Sequence, residues 1–209
     1  MNMLKVNGIE LIYDSYGSET DETILLIVGL GTQMIRWTVP FCEILAARGY
    51  RVIRFDNRDT GLSTHFNHHN TLDFEAIAKT LVSGQLPVIP YTLDDMTDDT
   101  IGLLDALGIK NAHVVGRSMG GMIAQLVASR YPERVLSLTS IMSTTGNPEL
   151  PPTSPDVMAL MTRPACGKDT AHAISGAEFM LLEGMGHDLP AQLFETVVDG
   201  IVRTAQRKG

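Results

Sequence analysis

The chain has 209 residues, 44% hydrophobic and 19% charged, which fits one soluble globular domain or one domain with a small insertion. With 16 basic against 24 acidic residues the formal charge is −8, which argues against nucleic acid or an anionic membrane surface as partner, since both select a basic face. Two cysteines, Cys42 and Cys166, are too few for a disulfide framework or a structural zinc site.

No apolar run approaches the roughly 18 residues of a membrane helix. The opening Met1-Asn2-Met3-Leu4-Lys5 lacks the basic-then-apolar pattern of a signal peptide, so the expectation is a cytoplasmic protein. Residues 6–15 read as a hairpin around the turn dipeptide Asn7-Gly8. The continuous apolar run 23–28 suits a strand buried on both faces of a parallel sheet, and Gly29-Leu30-Gly31 ends it. A helix is expected over 40–48 and a strand over 51–55, closing on the turn 56–61; a further helix is expected over 72–81.

Thr92-Leu93-Asp94-Asp95 has the form of a capping box, opening a helix that runs to Gly108. Strand 112–115, helix 119–130 and strand 135–142 follow. This alternation predicts an α/β fold, a doubly wound and mostly parallel sheet. Residues 1–146 form the first part of that core, 147–164 a proline-rich linker, and 165–209 its C-terminal part. The last part should hold a short helix over 165–174, a strand over 178–182 and an amphipathic helix over 192–206.

The sharpest chemical signal is Gly116-Arg117-Ser118-Met119-Gly120, set between an apolar strand and a helix. A serine hydroxyl is a poor nucleophile until it is lifted from the backbone, given a base and placed beside oxyanion donors. A sharp strand-to-helix turn does the lifting. Gly116 and Gly120 are needed where backbone segments crowd together. The Met119 N–H then stands at a helix N-terminus, ready to donate to a developing negative oxygen. The loop after strand 23–28 should supply the second donor, with the Leu30 N–H the best placed. The bland alternative for both is a glycine-bounded turn.

Among six histidines, His187 in Gly184-Met185-Gly186-His187-Asp188-Leu189-Pro190 follows the last apolar strand, where open α/β sheets keep their sites, and comes after the serine as this class requires. His65, His68 and His69 read as a solvated loop, not a metal site, and no metal is expected. His113 reads as a hydrogen-bonded structural histidine. Met34, Trp37 and Met119 are candidates to line the acyl side, a core role being equally open for the first two.

Ser118 in its glycine setting, Gly29-Leu30-Gly31, the turn Asp56-Asn57-Arg58-Asp59-Thr60-Gly61-Leu62-Ser63 and the loop 184–190 together resemble the α/β-hydrolase superfamily. Residues 29–37 and 54–64 resemble its bacterial branch related to aclacinomycin methylesterase. The resemblance implies cofactor-free hydrolysis of a small-molecule ester through an acyl-enzyme, with Ser118 as nucleophile and His187 as base. A cofactor-free haloperoxidase or an acyl transferase would use the same groups, and a non-catalytic scaffold is the alternative from another class.

The chain also departs from that family. Between Met142 and Glu178 there is too little text for both a helical cap and the strand that carries the triad acid, so both are expected to be missing near Pro164–Ala165. Two origins fit: a longer molecule whose residues are omitted there, or a deletion. The triad acid is therefore unassigned. Glu149 is a weak candidate, Asp156 and Asp169 are weaker, and Asp188 is too close to His187 in sequence to reach its distal nitrogen; all four read more simply as surface carboxylates. Nothing in the residues specifies an oligomeric state.

Overall fold

The computed structural model describes residues 1–66, 79–80, 82–145, 180, 182 and 188–207. Strands β1 (Asn2–Val6) and β2 (Ile9–Tyr16) form a hairpin whose tip, Asn7 and Gly8, takes φ of 49° and 82°, as a two-residue turn between twisted strands demands. Strand β3 spans Thr23–Ile27, helix α1 Val39–Ala47 and strand β4 Arg51–Phe55. Helix α2 (Leu93–Ala106), strand β5 (Ala112–Arg117), helix α3 (Met119–Arg130) and strand β6 (Val135–Ile141) follow, and helix α4 covers Phe194–Ala205 after a 3₁₀ turn at Ala191–Leu193.

These strands make a six-stranded sheet in the order β1-β2-β4-β3-β5-β6, antiparallel from β1 to β4 and parallel from β4 to β6. The expected doubly wound, mostly parallel sheet is what forms. Every residue of β3, β4 and β5 is buried, as the unbroken apolar run foretold for β3. Strand geometry sends Leu25 and Ile27 to one face with Val114, Leu103, Ile123 and Val127, and Ile24 and Leu26 to the other with Val115, Phe41, Leu45 and Val198. Helices α2 and α3 thus cover one face, α1 and α4 the other. Each of these buried aliphatic side chains contributes about 1.5–3 kcal/mol.

Two local features match the sequence closely. Thr92 caps α2 by accepting the Asp95 N–H, while the Asp95 carboxylate accepts the Thr92 N–H at 2.7 Å. At the hairpin tip, Asn7 Nδ2 donates to the Asp98 carbonyl at 2.9 Å, and a Cβ on Gly102 would lie 2.4 Å from Val6 Cγ1, so the tip is seated in a notch of α2. Boundaries shift by one to four residues: β1 begins at Asn2, four before the expected start of the hairpin, β2 reaches Tyr16, and α1 starts at Val39.

Some expectations fall outside the described residues: the linker 147–164, the helix 165–174, the junction at Pro164–Ala165, and most of the helix 72–81, of which Lys79 and Thr80 are helical. Of the strand expected over 178–182, Met180 and Leu182 are described, and neither is in a strand. Among the described residues no helix is long and apolar enough to cross a membrane.

The connection from β3 runs through α1 to β4 on one side, and that from β5 through α3 to β6 on the other. The chain therefore diverges at the carboxyl ends of β3 and β5. Open α/β sheets keep their ligands at such a switch point, and the loops after these two strands flank it.

Candidate active site

Ser118 stands at the carboxyl end of β5 and N-caps α3 with φ 54° and ψ −127°. A non-glycine residue in this region costs on the order of 1–3 kcal/mol and persists only when its surroundings over-determine it. Here they do. The Ser118 N–H donates to the Ile141 carbonyl at 2.9 Å, and its own carbonyl accepts from the Gly121 N–H at 2.9 Å. The elbow also needs two empty positions: a Cβ on Gly116 would meet the Gly120 oxygen at 2.0 Å, and one on Gly120 would meet the Ile27 and Val28 oxygens at 2.4 and 2.5 Å. The side chain of Ser118 is half-buried, neither sealed into the core nor fully in solvent.

The loop after β3 lies against this serine. A Cβ on Gly29 would come within 3.0 Å of Ser118 Cβ and 3.4 Å of its Oγ. The loop is a tight turn in which the Thr32 N–H donates to the Gly29 carbonyl at 3.3 Å and Gly31 takes φ 61°. The peptide joining Gly29 to Leu30 thus begins at the serine, with the Leu30 side chain turned out to solvent. Met119, half-buried, is the first residue of α3, where backbone N–H groups have no intrahelical acceptor.

A second layer fixes the loop after β3. The buried Asp56 carboxylate accepts the Met34 N–H at 2.6 Å and the Leu62 N–H at 3.4 Å, while Asn57 Nδ2 donates to the Val28 carbonyl at 3.1 Å. Burial pushes the Asp56 carboxyl above the usual carboxylate range, although those two amides pull the other way. Arg58 anchors the same turn to α2 through two bonds to Asp99, at 2.7 and 2.8 Å.

His187, the expected base, and Glu149, the weak candidate for the acid, lie outside the described residues, as do Asp156, Asp169, His68 and His69. Asp188 is described, and it is the exposed surface carboxylate expected, but one with partners. Its Oδ1 accepts from Arg117 Nη2 at 3.3 Å and from the Leu189 N–H at 3.0 Å, and its Oδ2 lies 3.5 Å from Arg36 Nη1. Burial works to raise this carboxyl, but the Leu189 amide and the two guanidiniums outweigh it and hold it below the usual range.

Other candidates resolve into structural roles. Met34 and Trp37 are fully buried, with Trp37 stacked on Phe41 at 5.2 Å, so both are core. His113 is buried between Ser137 Oγ at 2.8 Å and Glu22 Oε2 at 3.4 Å, and burial lowers its basicity. Burial pushes the Cys42 thiol up to about 12, which removes it as a nucleophile near neutrality. His65 Nε2 is 3.0 Å from the Gly61 carbonyl, and among the described residues no three His, Cys, Asp or Glu side chains are grouped to hold a metal ion.

Arg36, Arg117 and the Asp56 carboxylate were not singled out by the sequence reading. The Asp56 role had a partial signal in its turn motif. The arginines had none, because their acid lies far along the chain.

A family model described as the alpha/beta hydrolase fold matches residues 22–167. The rhodomycin D methylesterase of Streptomyces sp. (strain C5) is 36% identical over 140 residues, which are 67% of this chain and 41% of that protein. The corresponding enzyme of Streptomyces peucetius is 34% identical over the same shares. This chain thus spans about two fifths of the length of those relatives. Among solved structures, the enol-lactonase from Burkholderia xenovorans LB400 matches with 31% identity and a TM-score of 0.50, over 64% of this chain and 44% of that one. A bacterial membrane phospholipase A matches with 23% identity and a TM-score of 0.59, over 98% of this chain and 58% of that one, a likeness of fold.

Proposed function

The chain belongs to the α/β-hydrolase fold family, and from that premise we propose that it is a serine hydrolase that cleaves a carboxylic ester through an acyl-enzyme. The observation that carries the reading is the strained, half-buried Ser118 at the switch point of the sheet, with Gly29 so near that a Cβ there would crowd its side chain. Strain of this kind is kept where a hydroxyl must project from the backbone.

In this reading Ser118 Oγ attacks the ester carbonyl while the His187 imidazole takes its proton. The carbonyl oxygen becomes an oxyanion beneath the N–H groups of Leu30 and Met119, where each preorganised donor is worth about 3–4 kcal/mol of barrier. Collapse expels the alcohol, which receives the proton from the imidazolium, and water then releases the acid by the same route. Gly116 and Gly120 keep the elbow tight. The triad acid stays open, with Glu149, eight residues beyond the end of β6, the weak candidate. Residues 1–146 and 165–209 are the two parts of the core in this account, with 147–164 between them. The methylesterase relatives support a small methyl ester as the substrate class.

A p-nitrophenyl ester tests the proposal. The expected result is a burst of one p-nitrophenolate per chain, covalent fluorophosphonate labelling at residue 118, and a loss of about 10⁴-fold or more in Ser118→Ala. Undiminished turnover in that variant overturns it.

A further inference from the structure

Asp188 joins the two halves of the site through their immediate chain neighbours. Arg117 precedes the nucleophile Ser118 by one residue, and Asp188 follows the base His187 by one. The Arg117 side chain is 6% exposed and lies over the Trp37 ring, with its guanidinium carbon 6.0 Å from the ring centroid. Its Nη2 meets Asp188 Oδ1 at 3.3 Å. Arg36, from the 3₁₀ turn Met34–Arg36 behind the Gly29–Thr32 loop, approaches the other oxygen at 3.5 Å. One carboxylate therefore meets cations from the loop after β3 and from the end of β5. The next residue, Leu189, is buried in the core with Phe41 and Phe194.

We infer that Asp188 is a positioning residue, whose ion pairs with Arg117 and Arg36 hold the chain beside His187 in fixed register with the nucleophile elbow. A surface pair has little such power, because exposed side chains trade partners with water. The Asp188 and Arg36 side chains are themselves 66% and 58% exposed. The Arg117 side chain, however, is only 6% exposed and cannot follow the acid out into solvent, so it is the Arg117 pair that constrains the backbone of residue 188. The Cα of residue 187 is bonded at about 3.8 Å from that of 188. An imidazole must sit within about 2.6–3.2 Å of the hydroxyl it deprotonates, so slack of 1 Å at residue 188 is felt in the chemical step. This inference rests on the serine-hydrolase reading and adds the residue that sets its geometry.

The test compares the full chain with Asp188→Ala, Asp188→Asn and Asp188→Glu. The expected result is that Asp188→Ala and Asp188→Asn lower the rate of fluorophosphonate labelling at Ser118, and kcat on a p-nitrophenyl ester, by about 10- to 100-fold. KM should stay unchanged, and Asp188→Glu should recover most of the loss. Combining Arg117→Gln with Asp188→Asn should cost no more than the worse single change. If the unaltered chain labels at Ser118 and Asp188→Asn labels at the same rate, this inference is overturned and the hydrolase reading stands. The same holds if KM alone rises. If the unaltered chain does not label, the hydrolase reading fails and takes the inference with it.

Discussion

Of the places where the chain takes a positive φ beyond the carboxyl end of a strand, two flank β3, Ser118 after β5 and Asp59 after β4, with φ of 54° and 60°. The two turns are held by different balances of the same means. At Ser118 backbone grips backbone: the N–H binds the Ile141 carbonyl, and Gly116 and Gly120 leave room for main chain where a side chain would stand. At Asp59 the N–H likewise binds a carbonyl, that of Thr64 at 2.9 Å, but side chains add much of the grip. Asp59 Oδ1 accepts the Phe66 N–H at 2.6 Å, Ser63 Oγ donates to the Asp56 carbonyl at 2.7 Å, and Arg58 is paired with Asp99. A turn fixed by missing atoms fails when atoms are added. One fixed by polar side chains fails when a partner is removed or a charge is changed.

The largest expected effect lies in the second turn. Asp99→Ala strips the anion from Arg58, which is packed between the rings of Phe66 and Tyr91 at 5.4 and 5.1 Å. Loss of one partner of such a buried pair should cost about 3–5 kcal/mol in urea unfolding. A cost below 1 kcal/mol would show that the side-chain grip is dispensable.

Next in size is the first turn. Gly116→Ala drives a methyl to 2.0 Å from the Gly120 oxygen, and about 3 kcal/mol of stability should be lost together with covalent labelling of Ser118. Retention of both would mean the elbow can relax and is not held by the absence of side chains.

Strain at the nucleophile itself separates two substitutions that both remove the hydroxyl. Ser118→Gly relieves the unfavourable φ and should melt later than Ser118→Ala, by about 1–2 kcal/mol. Equal thermal midpoints would deny that the elbow stores strain.

The smallest effect concerns protons. The Asp56 carboxyl is raised by burial in the folded chain, so the folded state holds its proton more firmly than the unfolded chain. Its contribution to stability is therefore fully present below the ordinary carboxylate value and is lost as pH rises through the folded value. On acidification from neutrality the stability gap between the unaltered chain and Asp56→Asn should move in favour of the unaltered chain. Denaturation midpoints for the pair at several pH values between 7 and 4 would show this, and parallel curves would refute it.

The two turns also differ in how far they could be read from sequence. The strands flanking Ser118 announce themselves because burial on both faces forces unbroken apolar runs, as in residues 23–28, and because the glycine spacing around Ser118 reflects local crowding. Thr92 and Asp95 were readable for the same reason: a cap involves neighbours four residues apart or fewer. Contacts that close over long distances leave no local trace. Arg117 meets an acid 71 positions away, and Arg58 meets Asp99 41 positions away, so charge pattern alone offers several partners for each. Trp37 and Met34 could be core or pocket because apolar side chains serve both, and only packing distinguished them. In β4 the arginines Arg51 and Arg54 look like exposed positions, yet both are buried, with Arg54 bonded to Asp14 at 2.7 Å and to the Trp37 carbonyl.

The hairpin seated in the notch of α2 has a consequence for biosynthesis. Its tip emerges from the ribosome well before its mooring, since Asn7 bonds to a residue 91 positions later. At common translation speeds of about 5–20 residues per second, the wait is about 5–18 seconds. During that interval Val6, buried against Gly102 in the finished protein, lacks the helix that covers it. The hairpin is thus made long before the helix that moors it.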